Sequence, residues 1–179
     1  MDALVVYESL WGNTAAVARA IADGIGPSTR VAHTGEVSPD DVVGFDLLVV
    51  GSPVHGMSLP TADSLKSVSR RAVGSGELPA DLEQPLLRTW LRDLPETEVA
   101  AAAFDTRVKG FVGRGGASTI ERLLRAKGCQ VLTSGEGFVV LNQRAVRRAG
   151  SMLKEGELHR AQEWGAGLKR LALPGKAVP

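Results

Sequence analysis

Aromatic side chains are scarce: Phe, Trp and Tyr together make up 4% of the 179 residues. Few rings are on hand to sandwich a flat ligand. Cysteine is nearly absent. The single Cys129 excludes an internal disulfide and a multi-cysteine metal centre, and reads best as a small buried apolar residue. The three histidines, His33, His55 and His159, stand far apart and argue against a His-rich metal site. Charge of one sign is lacking too. Lys+Arg number 21 and Asp+Glu 20, a net charge of +1, so no strong field draws in nucleic acid or an anionic membrane. No apolar run is long enough to span a bilayer. The N-terminus enters an apolar strand without the features of a signal peptide, and a cytoplasmic location is expected.

What is present suffices for a sizeable core. The hydrophobic fraction is 44% and the charged fraction 23%, near a soluble globular average. Residues 1–179 read as one domain, with an irregular, insertion-like segment at about 59–98.

Ala3–Tyr7 is a short apolar run with β-branched residues, the mark of a strand buried on both faces. After residues 8–13, Thr14, Val17, Ala18, Ile21, Ala22 and Ile25 recur at helical spacing and form one apolar face. Gly24 and Gly26-Pro27 end that helix. Thr29–His33 is a second strand, Ser38-Pro39 starts a short helix or turn, and residues 46–51 are a third buried strand. Residues 61–73 and 85–94 read as helices around a loop at 74–81. Residues 99–104 return to a strand, followed by a long glycine-rich loop at 105–117. Ser118 and Glu121 read as a capping box before a helix at 119–127. A strand at 130–133 is broken by Gly135-Glu136-Gly137 and resumes at 138–141. The last helix spans 156–173, with Leu158, Ala161, Gly165, Leu168 and Ala172 on one face and Trp164 and Leu171 beside it.

Strands alternating with helices imply right-handed crossovers and a parallel sheet between two helix layers. A three-layer α/β/α architecture with five strands in the order 2-1-3-4-5 is predicted. Ligands on such sheets bind outside the carboxyl ends of the strands, at the switch between strands one and three. The loops after Tyr7, Gly51 and Phe104 therefore matter.

Residues 9–14 join a buried strand to an amphipathic helix. Such a junction offers free N–H groups and the positive end of the helix dipole, which suits a phosphate. Ser9 and Thr14 add hydroxyls, and Gly12 and Asn13 permit the tight turn. No Lys or Arg lies between Glu8 and Ala18. The loop lacks both the Gly-Lys-Ser/Thr ending of a triphosphate loop and the Gly-x-Gly-x-x-Gly dinucleotide fingerprint. A strand–helix turn with ordinary caps is the plainer alternative.

Ser9-Leu10-Trp11-Gly12-Asn13-Thr14, directly after Val5-Val6-Tyr7-Glu8, resembles the phosphate loop of the flavodoxin family. The resemblance implies a flavodoxin-like fold and FMN as cofactor, its phosphate held by Ser9, Leu10, Trp11, Gly12, Asn13 and Thr14. It also implies that Pro53, Val54, His55 and Gly56 lie along the flavin ring. Gly56 would then permit the peptide rearrangement by which the family stabilises a protonated flavin radical. His55 either tunes the ring's polar edge or is a surface histidine. Phe104, Asp105, Thr106 and Arg107 correspond to the family's third flavin loop. There Arg107 either stabilises charge on the reduced ring or simply pairs with Asp105. The second loop lacks the family's usual aromatic and offers His55 and Met57; the third offers Phe104 and Phe111. Trp11 packs on the ribityl chain or a neighbouring segment, and Trp90 and Trp164 read as core. A partly uncovered ring is expected.

The resemblance leaves three functions open. One is an electron carrier for a redox partner protein. Another is an oxidoreductase acting on a small electron acceptor, such as a quinone reductase or a protoporphyrinogen-oxidase-like enzyme. The third is a non-catalytic interaction module that has lost its flavin. Residues 59–98 are a lid, a homodimer surface or a plain insertion. Arg144, Arg147 and Arg148 are a docking patch or a solvated surface.

Overall fold

Aliphatic runs that bury both faces of a strand must lie between two helix layers, and they do. The computed structural model describes residues 1–55, 58–70, 79–108, 115–141 and 152–173. Its strands are β1 (Ala3–Tyr7), β2 (Thr29–His33), β3 (Leu47–Pro53), β4 (Ala100–Val108), β5 (Gln130–Val131) and β6 (Glu136–Val140). All pair in parallel, in the order β2-β1-β3-β4-β5, with β6 pairing β4 farther along. The fifth position of the sheet is thus split in two around Gly135, so six strands fill five places. In the shared register, Val5 lies between Val31 and Val49.

Alternation along the strands sorts the core into two clusters. Leu4, Val6, Leu48, Val50, Ala101 and Ala103 face α3 (Leu87–Asp93) and α4 (Gly115–Ala126). Ala3, Val5, Leu47, Val49, Ala102 and Phe104 face α1 (Asn13–Ile25) and α5 (Glu157–Ala172). Each fully buried aliphatic contributes about 1.5–3 kcal/mol. Small residues set how near neighbouring elements come. A Cβ on Gly165 would lie 2.2 Å from the Ile21 carbonyl oxygen, and one on Gly24 would lie 1.9 Å from that of Gln162. The backbones of α1 and α5 therefore touch through glycine. Gly51 pairs with Phe104 across β3 and β4, and a Cβ there would lie 2.0 Å from the phenyl ring.

The remaining elements follow their local signals. Ser38 and Asp41 form a capping box on a 3₁₀ helix, Pro39–Gly44. Thr61 and Ser64 cap α2 (Ala62–Ser69) in the same way. Three readings are corrected. The fourth strand does not stop at Phe104; it runs to Val108, because β3 and β6 both supply ladder partners beyond that point. The helix α4 starts at Gly115, and Ser118 sits inside it, its hydroxyl donating to Gly115 O at 3.1 Å. Its expected partner Glu121 instead accepts the Gly135 N–H. Leu158 is about half exposed rather than on the inner face of α5.

The outer edge of β6 is occupied at Gly137 O and at both backbone groups of Val139. Arg160 donates to Gly137 O, Glu157 accepts the Val139 N–H at 2.8 Å, and the Lys154 N–H donates to Val139 O at 2.9 Å. Val140 and Leu153 form an antiparallel bridge. No helix among the described residues is long and apolar enough to cross a membrane.

Candidate functional site

The chain leaves β1 at Tyr7 and turns into α1 through Gly12, whose φ of 85° is left-handed and favours glycine. Ser9 Oγ accepts from the N–H of Gly12 at 3.1 Å and of Ala15 at 3.3 Å. The loop is therefore held by its own first residue. The N–H groups of Trp11, Asn13 and Thr14 have no hydrogen-bond partner among the described residues. For the last two this follows from their place in the first turn of a helix. Asn13 Oδ1 is also buried without a partner, so either end of this amide is free to turn to a ligand.

The hydroxyl protons complete the inventory. Ser9 Oγ accepts twice and keeps its proton to donate. Thr14 Oγ1 and Thr106 Oγ1 lie 2.8 Å apart, 92 residues apart in sequence, and share one hydrogen bond between two O–H groups. One proton of that pair also remains free.

These groups line a cleft of about 480 Å³, its open mouth included. The first loop contributes Ser9, Leu10, Trp11, Asn13 and Thr14. Opposite stand Pro53, Val54 and His55, then Thr106 and Val108 of β4. Val140 and Met152 close the far side. His55 is the one ionisable side chain among these residues. The Trp11 and His55 rings lie 6.4 Å apart at 47°, so the first and second loops meet through them. Leu10 is buried, and its carbonyl accepts from the Asp81 N–H at 2.8 Å.

Of the residues singled out from sequence, Ser9, Leu10, Trp11, Asn13, Thr14, Pro53, Val54, His55 and Thr106 come together on this cleft, and Gly12 sets its turn. Three others do not line it. Phe104 is fully buried against Gly51 and Phe138. Asp105 is also fully buried; its Oδ2 accepts the Ala117 N–H at 2.9 Å and its Oδ1 lies 2.8 Å from Arg107 Nε. Burial pushes this carboxyl up, opposed by Ala117 and Arg107. Arg107 is thus paired with Asp105, and its guanidinium packs where a Cβ of Gly137 would stand. Gly56, Met57, Phe111, Arg144, Arg147 and Arg148 lie outside the described residues.

Sequence reasoning missed Val108, Val140, Met152 and Glu8. Val108 shares its strand face with Thr106, a signal available once β4 is extended. Glu8 is 2% exposed. Its Oε2 accepts from the Leu87 N–H at 3.2 Å and the Ser52 hydroxyl at 3.4 Å. Burial pushes its carboxyl up to about 7, while those bonds and Arg88 pull the other way.

No protein-family model and no curated protein matches the chain. Solved structures do. A flavodoxin from the domain Archaea is 18% identical, with a TM-score of 0.62, over 96% of this chain and 99% of its own. A Streptococcus pneumonia flavodoxin is 15% identical, with a TM-score of 0.63, over 97% of this chain and 100% of its own. The flavodiiron protein from Giardia intestinalis is 17% identical, with a TM-score of 0.58; the match covers 96% of this chain and 36% of that larger one. The chain has the flavodoxin-like α/β fold.

Proposed function

We propose that this cleft binds FMN and that the protein is a flavodoxin-like redox protein. One observation carries the reading. Three unpartnered N–H groups and two spare hydroxyl protons converge at the start of a 13-residue helix, on a cleft at the carboxyl end of the sheet. Such donors match a phosphate, and the helix dipole adds to them. Among the described residues no lysine or arginine lines the cleft, so these would hold the phosphate with neutral donors.

The N–H groups of Trp11, Asn13 and Thr14, with the hydroxyls of Ser9 and the Thr14–Thr106 pair, would hold the phosphate. Trp11, Val54 and Met152 offer apolar walls, with Pro53, His55 and Thr106 beside them. Bound FMN would supply the one- or two-electron chemistry, and the protein supplies binding, orientation and water exclusion. A net charge of +1 gives little electrostatic steering toward a charged protein partner. That favours an oxidoreductase acting on a small acceptor, such as a quinone, over a carrier. A cytoplasmic location belongs to the same reading.

The test is direct. The purified protein should be yellow and release FMN on denaturation, or bind added FMN with quenching of Trp11 fluorescence. Riboflavin, lacking the phosphate, should bind more weakly. A colourless protein that fails to bind FMN would sink the proposal. Reduction by NAD(P)H followed by turnover with a quinone separates enzyme from carrier.

A further inference from the structure

Glu8 buries a carboxyl where neutral donors alone need an acceptor. A glutamine would satisfy the Leu87 N–H and the Ser52 hydroxyl without the desolvation cost of a charge. Its position gives the carboxyl something else to do. Glu8 directly precedes the first cleft loop, and its own N–H donates to Gly51 O at 3.0 Å. Ser52 directly precedes Pro53, where the second cleft loop begins. The next residue of α3, Arg88, donates to Ser58 Oγ at 2.5 Å and to Leu59 O at 3.3 Å, at the other end of that loop. Between these ends, the His55 N–H donates to Ser58 O at 2.8 Å. Adjacent residues of α3 thus grip both ends of the second loop, Arg88 directly and Leu87 through Glu8.

We propose that Glu8 is the positioning residue of the cleft: it fixes Pro53–His55 against α3, and it takes up a proton from the buffer when an anion binds at the first loop. The inference rests on the cleft being an FMN site. Among the described residues, the charged group acting on Glu8 is Arg88 of α3. β3 presents Ser52, and residues 9–14 of the first loop contain no ionisable side chain. An anion placed one loop away therefore opposes ionised Glu8 with only Arg88 to offset it. Burial already brings this carboxyl to the neutral range, where a modest field changes its proton occupancy.

Calorimetric titration with FMN, in two buffers of different ionisation enthalpy, counts the protons taken up. Wild type should take up more than Glu8→Gln near pH 7. Its Kd relative to that variant should weaken about tenfold between pH 5.5 and 8.5, the effect of one pH unit of displacement. The phosphate of FMN titrates in both proteins and cancels in the ratio. Equal proton counts, or a flat ratio, would overturn the proposal. If wild type binds no FMN, the functional reading fails and the proton-uptake half falls with it. Amide exchange of the ligand-free protein then judges the positioning half. The Leu87 N–H should exchange at least tenfold faster in Glu8→Ala than in wild type, with Glu8→Gln restoring protection. Unchanged exchange in Glu8→Ala overturns it.

Discussion

Replacing Gly165 by alanine tests how closely α1 and α5 are held. The new Cβ would stand 2.2 Å from the Ile21 carbonyl oxygen and about 3 Å from that residue's carbonyl carbon and Cα. Ordinary contact begins near 3.4 Å, so the helices must part by about 1 Å. The obstacle is backbone, which cannot rotate away. Parting them loosens Ile21, Ile25, Ala161 and Leu168, all 2% exposed or less. Overpacking of this kind costs about 1–3 kcal/mol or more. Against it stands the helix preference for alanine over glycine, about 1 kcal/mol. A clash this close with backbone lies at the upper end of that range, so a net loss of about 2 kcal/mol is expected, moving the urea midpoint down by roughly 1 M. Gly167 is the internal control. It lies in the same helix, and a Cβ there meets nothing nearer than Arg170 Nη2 at 3.8 Å. Gly167→Ala should therefore stabilise by about 0.5–1 kcal/mol. Two identical substitutions two residues apart should move the midpoint in opposite directions. If both raise it, the backbone contact between α1 and α5 is not there.

Thr14→Val removes a hydroxyl from the pair with Thr106 and should weaken FMN by about 1.5–3 kcal/mol, tenfold or more, in a fluorescence titration; unchanged affinity would place the phosphate elsewhere. Glu8 binds its proton more tightly folded than unfolded, so its contribution to stability is full below pH 4.5 and is lost as pH rises through about 7. That decline amounts to about 3 kcal/mol at 1.36 kcal/mol per pH unit, and denaturation of Glu8→Gln from pH 4 to 8 should lack it. Gly51→Ala drives a Cβ into the buried Phe104 ring and should cost about 1–3 kcal/mol or more by thermal unfolding; double substitution with Phe104→Leu should recover part of it.

The parts of the fold that were legible in sequence have local causes. Residues buried on both faces made β1 and β3 continuous aliphatic runs, and one apolar stripe made α1. The first cleft loop was readable because its turn, hydroxyls and helix start are contiguous. The end of β4 was not. Asp105 and Arg107 look like loop residues until the α4 amides and an ion pair are there to satisfy them. Ser118 and Glu121 mimicked a cap because nothing local reveals that the helix begins three residues earlier. Glu8 gave no signal at all, since its burial depends on α3, 79 residues away.

The sealed edge of β6 has a consequence for the protein in crowded solution. A sheet edge with free N–H and C=O groups is a template for another chain's strand. Here Gly137 O and both backbone groups of Val139 are already taken by Arg160, Glu157 and Lys154. The split at Gly135 shortens the remaining β5 edge to two residues. Among the described residues this side of the sheet offers no ladder long enough to recruit a neighbour, so edge-to-edge pairing there is opposed by the side chains of a single helix and the segment leading into it.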